Sequence, residues 1–240
     1  MNPAAAVAEA GMPAKAAGTG QGKAAMPLQN RVDPFGAIHA VPERGLFTGN
    51  RGVIHDPDTR TLLKRRWTLP AWIICQCEFQ GRKREPMGRN GPGGKAGWTE
   101  LFFLDEVTAL AAGHRPCFFC RRERARDFVG RFGAAFAIET PRAPMLDARL
   151  HKERAASGGQ AAEIAAADLP GLPDGAMVAD GRETYALRAG TALPWSFAGY
   201  GAPLGFEAFS GRPLRLLTPA TTLAVLGQGY APVWHSSAGT

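Results

Sequence analysis

The chain is 240 residues long, with 45% hydrophobic and 20% charged residues, an ordinary globular composition that can bury a core without covalent staples. Its 28 lysines and arginines outnumber 21 aspartates and glutamates, and the resulting charge of +7 draws anionic partners, nucleic acid foremost. No apolar run reaches the roughly 18 residues that span a bilayer. Four cysteines without an export signal point to a reducing, cytoplasmic setting, where paired thiols serve metal binding or chemistry rather than disulfides.

Residues 1–27 are small and flexible and lack the continuous apolar segment of a secretory leader, so they read as a disordered tail. Residues 28–136 are rich in charge and aromatics, hold all four cysteines, and read as a zinc-binding basic domain. Within them, residues 71–79 are expected to form a strand. Cys75 and Cys77, at i and i+2, would share one of its faces. Asp105 is placed to cap a short helix over residues 106–112. Gly113 would end that helix in a left-handed conformation, and Pro116 would block its continuation. Cys117-Phe118-Phe119-Cys120 then makes a tight turn before a second helix. On that helix Phe128, Phe132 and Phe136, spaced by four, form the buried face, and Arg122 and Arg126 lie one turn apart on another edge.

Residues 137–240 read as a second mixed α+β lobe, joined to the first near residues 137–145. A helix is expected around residues 146–156, with Asp147 and His151 at i and i+4. Asp180-Gly181 marks a hairpin turn. The last segment reads as strand then helix, with Thr218 as cap, Pro219 at the first helical position, and Gly227 or Gly229 as terminator. The expected fold class is therefore α+β, a small zinc-knuckle lobe of strand, helix, Cys-x-x-Cys turn and helix followed by a mixed lobe.

The chemistry centres on the cysteines. A Cys-x-x-Cys turn lets two thiolates approach one tetrahedral zinc ion at about 2.3 Å each. Its amides can hydrogen-bond the sulfurs, and neighbouring arginines favour the thiolate. A closed structural site needs four ligands, so Cys75, Cys77, Cys117 and Cys120 are the expected set, with His114 or His55 as replacements. A redox dithiol at Cys117 and Cys120, and plain buried cysteines, are the alternative readings. Basic residues gather on both sides of the thiols, and Arg82, Lys83, Arg84, Arg122 and Arg126 are the expected phosphate contacts of a salt-sensitive nucleic-acid interface. A second class of function is a hydrolase or nuclease, with structural zinc and a histidine-based site at His151 or His235 in the C-terminal lobe.

The run Phe102-Phe103, a short Ala-rich helix, then Gly113-His114-Arg115-Pro116-Cys117-Phe118-Phe119-Cys120-Arg121, preceded by Trp72-Ile73-Ile74-Cys75, resembles the amino-terminal zinc domain of the Ada DNA-repair family. The likeness covers residues 72–121. It implies a four-cysteine zinc site, a DNA-contacting surface, and a role for Cys75 as acceptor of a methyl group from a DNA phosphotriester. The upstream pair here is Cys-x-Cys, where that family has Cys-x3-Cys. Across its length the chain also resembles a bacterial protein type marked by Gly49-Asn50-Arg51-Gly52 and by Trp195-Ser196 ahead of Gly199-Tyr200.

Overall fold

Thirty glycines and 19 prolines interrupt the chain often, which keeps most strands to two to four residues. The computed structural model describes residues 26–156 and 162–239. The tail expected over residues 1–27 lies outside them except for its last two residues. The fold is mixed α+β, and no described helix is long and apolar enough to cross a membrane.

The first half runs β1 (Arg31–Val32), β2 (Ile38–His39), β3 (Phe47–Asn50), the small hairpin β4 (His55–Asp56) and β5 (Thr61–Leu62), then β6 (Ile73–Gln76), β7 (Leu101–Phe103), α1 (Glu106–Ala111), β8 (Arg115–Pro116) and α2 (Arg122–Ala135). After α3 (Ala143–Ala156) come β9 (Ala162–Ile164), β10 (Met177–Asp180), β11 (Glu183–Arg188), β12 (Thr191–Ser196), β13 (Gly199–Tyr200), β14 (Leu214–Leu216) and α4 (Ala220–Gly227). One sheet has the order β2-β1-β7-β3-β6-β8, with β1–β7 and β6–β8 parallel. The other, β13-β12-β11-β10-β14-β9, is antiparallel throughout. Gly181, at φ +59°, opens the two-residue turn between β10 and β11, as its place after Asp180 suggests.

The main core packs Val32, Ile74, Leu101 and Phe103 of the first sheet against Phe128 and Phe132 of α2, Leu146 and Leu150 of α3, and Val225 and Leu226 of α4. It therefore draws on both sides of residue 137. Phe128, Phe132 and the half-buried Phe136 do form the inner face of α2. A smaller cluster joins Leu104, Val107 and Ala111 to Met177, Ala186 and Leu193, so α1 is wedged between the two sheets.

Asp105 caps α1 by accepting from the Thr108 amide at 2.9 Å. The helix ends one residue earlier than its pattern suggests, with Gly113 (φ +80°) in a Schellman turn: Gly113 N donates to Leu110 O and His114 N to Ala109 O. The same turn closes α4, where Gly229 N donates to Leu226 O and Tyr230 N to Val225 O. Thr218 is not the cap of α4. Pro219 holds that position, and the Thr218 hydroxyl instead accepts from the Met177 amide at 2.9 Å.

Charged groups are buried where they tie segments together. Glu106, fully buried, meets Arg121 at 2.9 Å, Arg124 at 3.1 Å, the Tyr230 hydroxyl at 2.7 Å and the Val233 amide at 2.9 Å. Burial pushes its carboxyl up, but the Arg121 charge and these hydrogen bonds outweigh that and hold it below the usual glutamate range. Asp105 likewise accepts from the Tyr200 hydroxyl and the His235 amide.

Candidate metal centre

The register of β6 against β8 builds the site. Ile73 lies opposite Arg115 and Ile74 opposite Pro116, and Cys117 N donates to Ile74 O at 2.9 Å. Cys75 and Cys117 are thus the next residues along two adjacent parallel strands, although 42 positions separate them in the chain. The chain then turns back over residues 117–120, with Arg121 N donating to Cys117 O, and enters α2. That turn returns the Cys120 sulfur to the same place. The ligand atoms of Cys75, Cys117 and Cys120 all lie within 4.8 Å of one another.

Two backbone amides point at these sulfurs: Phe119 N donates to Cys117 Sγ at 3.3 Å and Gln76 N to Cys120 Sγ at 3.4 Å. Such bonds favour thiolates over thiols. Among the three, hydrogen bonds from Cys120 and Cys75 pull Cys117 down, aided by the Cys120 and Phe119 amides. Cys75, hydrogen-bonded toward Cys117 and Cys120 and buried, is pushed up.

The donor set fits a thiophilic ion. Tetrahedral zinc with bonds of about 2.3 Å needs sulfurs about 3.8 Å apart, which the three can reach with small side-chain movements. Cys75, Cys117 and Cys120 would hold it. Cys77 does not join them. Strand β6 stops at Gln76, so the i, i+2 rule ceases to apply one residue before Cys77, whose exposed thiol donates to Leu46 O at 3.5 Å. Neither alternative ligand, His55 or His114, belongs to the thiol cluster. His55 contacts the Thr99 hydroxyl at 2.7 Å, and His114 sits fully buried with Nε2 accepting from Arg51 Nε at 3.3 Å.

No known protein family, curated protein or solved structure matches the chain.

A cavity of about 260 Å³ opens beside the thiols, lined by Cys75, Cys77 and Cys120. Its other walls carry Arg82, Lys83 and Arg84 together with Phe79, Trp98 and Glu100. Arg82 and Lys83 are exposed, and the Arg82 guanidinium lies 5.2 Å from the ring of Phe119, which is itself 61% exposed. Arg84 is not free: it pairs with buried Glu100 at 2.5 Å and stacks on Trp98 at 4.1 Å. On α2, Arg122 is exposed and Arg126 pairs with Glu123 at 3.1 Å.

The two histidines of the hydrolase reading lie elsewhere. His151 packs edge-on to Trp67 with ring centres 4.6 Å apart, and Asp147 turns from it to make a two-pronged pair with Arg115 at 2.7 and 2.9 Å. His235 caps the final short turn, contacting Ser237 Oγ at 2.8 Å. Neither lines the cysteine cavity. Phe79, Trp98 and Glu100 were not expected at the thiols. Their only sequence signal is the aromatic content flanking the basic Arg82-Lys83-Arg84 run.

Proposed function

We propose that the chain is a zinc-containing nucleic-acid-binding protein in which a three-thiolate centre forms the floor of a basic, aromatic cavity. The observation that carries this reading is the convergence of Cys75, Cys117 and Cys120 beside Arg82 and Lys83. Zinc bound there would hold the sulfurs as thiolates at neutral pH. The two cations meet a phosphate, and Phe119 and Phe79 offer ring surface to a base. The resemblance of residues 72–121 to the Ada zinc domain supports DNA as the partner.

The sharper form of this reading makes Cys75 the acceptor of a methyl group. Its thiolate sulfur attacks the methyl carbon of a methylated phosphotriester, the S–C bond forms as the C–O bond breaks, and the phosphodiester oxygen leaves with the electron pair. Hydrogen bonding with Cys117 and Cys120, together with burial, pushes the Cys75 thiol up, and zinc bound there would favour its thiolate form.

Native mass spectrometry tests the centre. One zinc per chain is expected in the wild type and in Cys77→Ser, and none in Cys117→Ser. Loss of zinc in Cys77→Ser would overturn the three-thiol assignment, and equal zinc in Cys117→Ser would overturn the site. Incubation with methyl-phosphotriester DNA tests the transfer: Cys75 gains the mass of one CH2 group, and an unmodified Cys75 removes that role.

A further inference from the structure

A second cavity, of about 550 Å³, shares no lining residue with the first. Phe35, Arg66, Trp67, Trp72, His151 and Arg154 are among its walls, and its volume falls in the range of about 300–1,000 Å³ usual for small-molecule sites. Its polar groups are unbalanced. Over the ring of Trp72 lie two guanidinium groups, that of the lining residue Arg154 at 4.1 Å and that of Arg51, which is not itself on the wall, at 4.0 Å. Arg51 is fully buried, and no carboxylate pairs with it or with Arg154 or Arg66 among the described residues.

Arg51 donates to Gly36 O and to His114, which leaves its Nη2 without an acceptor. Arg154 spends both terminal nitrogens on the Gly113 and Pro70 carbonyls and leaves Nε unpartnered. The Trp72 indole N–H is buried and unpartnered too. Gly36, a cavity-wall residue at φ +79°, lies beside Arg51 Nη2, which an added Cβ would meet at 3.4 Å. The one acid on the cavity wall, Glu153, is engaged by Thr221 and Arg149. Burial, with Arg66 and Arg154 nearby, brings Arg51 down to about 9. Buried donors and cations without acceptors are costly to fold, and a ligand that carries acceptors and negative charge removes the deficit.

The mouth adds a second requirement. Trp67 is 44% exposed and Phe35 is 38% exposed, so flat apolar surfaces flank the cationic interior. We propose that this cavity binds a nucleoside monophosphate unit, its phosphate taken by Arg66, Arg154 and the Trp72 indole N–H and its base resting on Trp67. The unit is either a free nucleotide or the phosphorylated end of a single strand. The chemistry is the same, and the probes below separate the two.

Tryptophan-fluorescence titrations use 5′-AMP, 5′-CMP, the matching nucleosides, inorganic phosphate, and dinucleotides with and without a 5′-phosphate. Saturable binding of a monophosphate is expected, with its nucleoside and inorganic phosphate each at least tenfold weaker. Arg66→Ala and Trp67→Leu, both exposed and outside the buried bonding network, are each expected to weaken binding at least fivefold while the zinc content stays at the wild-type level. A phosphorylated dinucleotide binding more tightly than the mononucleotide assigns the strand end, and the reverse assigns the free nucleotide. Absence of saturable binding by either monophosphate overturns the proposal. So does a nucleoside or phosphate alone that binds as tightly, or unchanged affinity in both variants. Zinc loading is read separately, so failure here leaves the thiol centre standing.

Discussion

The number of cations free to meet a phosphate backbone sets how steeply binding falls with salt, and ion pairing makes that number small here. Of the five basic residues flanking the thiols, Arg84 is held against Glu100 with its side chain 18% exposed, and Arg126 pairs with Glu123. Arg82, Lys83 and Arg122 remain exposed, with no ion pair among the described residues. Three duplex contacts, each releasing about 0.9 counterion, give a slope of log K on log salt of about −2.7. Between about 50 and 200 mM salt, affinity then falls about 40-fold on a duplex, and about 20-fold on a single strand at about 0.7 counterion per contact. Five contacts would give about −4.5 and a loss of about 500-fold. Arg82→Ala combined with Lys83→Ala leaves one contact and a slope of about −0.9. Fluorescence anisotropy with a short labelled oligonucleotide, repeated across that salt range, reads these slopes directly. A wild-type slope near −4.5 would mean that Arg84 and Arg126 abandon their carboxylates on binding. An unchanged slope in the double variant would take this face out of the interface and refute the reasoning.

Glu106→Gln keeps the shape but leaves the Arg121 guanidinium buried without its counter-charge and sets an amide N–H₂ against the donors around it. Urea melts are expected to register a loss of about 3–5 kcal/mol, against about 0.5 kcal/mol or less for Glu123→Gln in its solvated pair. The same carboxyl carries an acid dependence. Its folded pKa lies below the ordinary 4.5, so its contribution is complete above that value and is lost as pH falls through the folded one. The wild-type urea midpoint should therefore drop more steeply than that of Glu106→Gln below about pH 4.5, and parallel acid limbs would contradict the depressed pKa. Gly113→Ala forces a side chain into a left-handed position at φ +80° and sets its Cβ 3.0 Å from Arg154 Cδ. A cost of about 1–2 kcal/mol, or about 2–8 °C in Tm for a chain of this size, is expected by calorimetry.

What was legible in the sequence was mostly local. Asp105, Gly113 and Pro116 announce the end of α1 and the start of the thiol turn because capping, left-handed termination and helix blocking act over a few residues. The Cys117/Cys120 spacing marks a turn that brings two thiols together for the same reason, and the four-residue spacing of Phe128, Phe132 and Phe136 marks a buried helix face. Cys77 was misplaced because the rule of alternating faces presumes that a strand continues, and β6 does not. Glu106 was readable only as a first-turn acid on a short helix. Its partners Arg121, Tyr230 and Val233 lie far along the chain, and no periodicity reports such a meeting. Asp147 and His151 have helical spacing, yet Arg115, from a strand in the first half, outcompetes the histidine for the carboxylate. Arg51 and Trp72 could be singled out only by the Gly49-Asn50-Arg51-Gly52 run and the aromatic character of residues 67–72.

The two cavities hang on one short ladder. Trp72 O accepts from Arg115 N at 3.0 Å and Ile74 O from Cys117 N at 2.9 Å, so β6 and β8 carry Trp72 and His114 at one end and Cys75 and Cys117 at the other. Three residues of strand, about 10 Å, separate Trp72 from Cys75. A one-residue slip in this parallel pairing would turn the side chains of either strand to the opposite face and take both the sulfurs and the stacked arginines out of register. An ion gripping Cys75 and Cys117 would forbid that slip, because it would tie the two strands by their side chains just where the ladder ends. Metal bound at the thiols would therefore stabilise the backbone that presents Trp72 to the larger cavity, and the ladder gives the two cavities a common mechanical support without any shared lining residue.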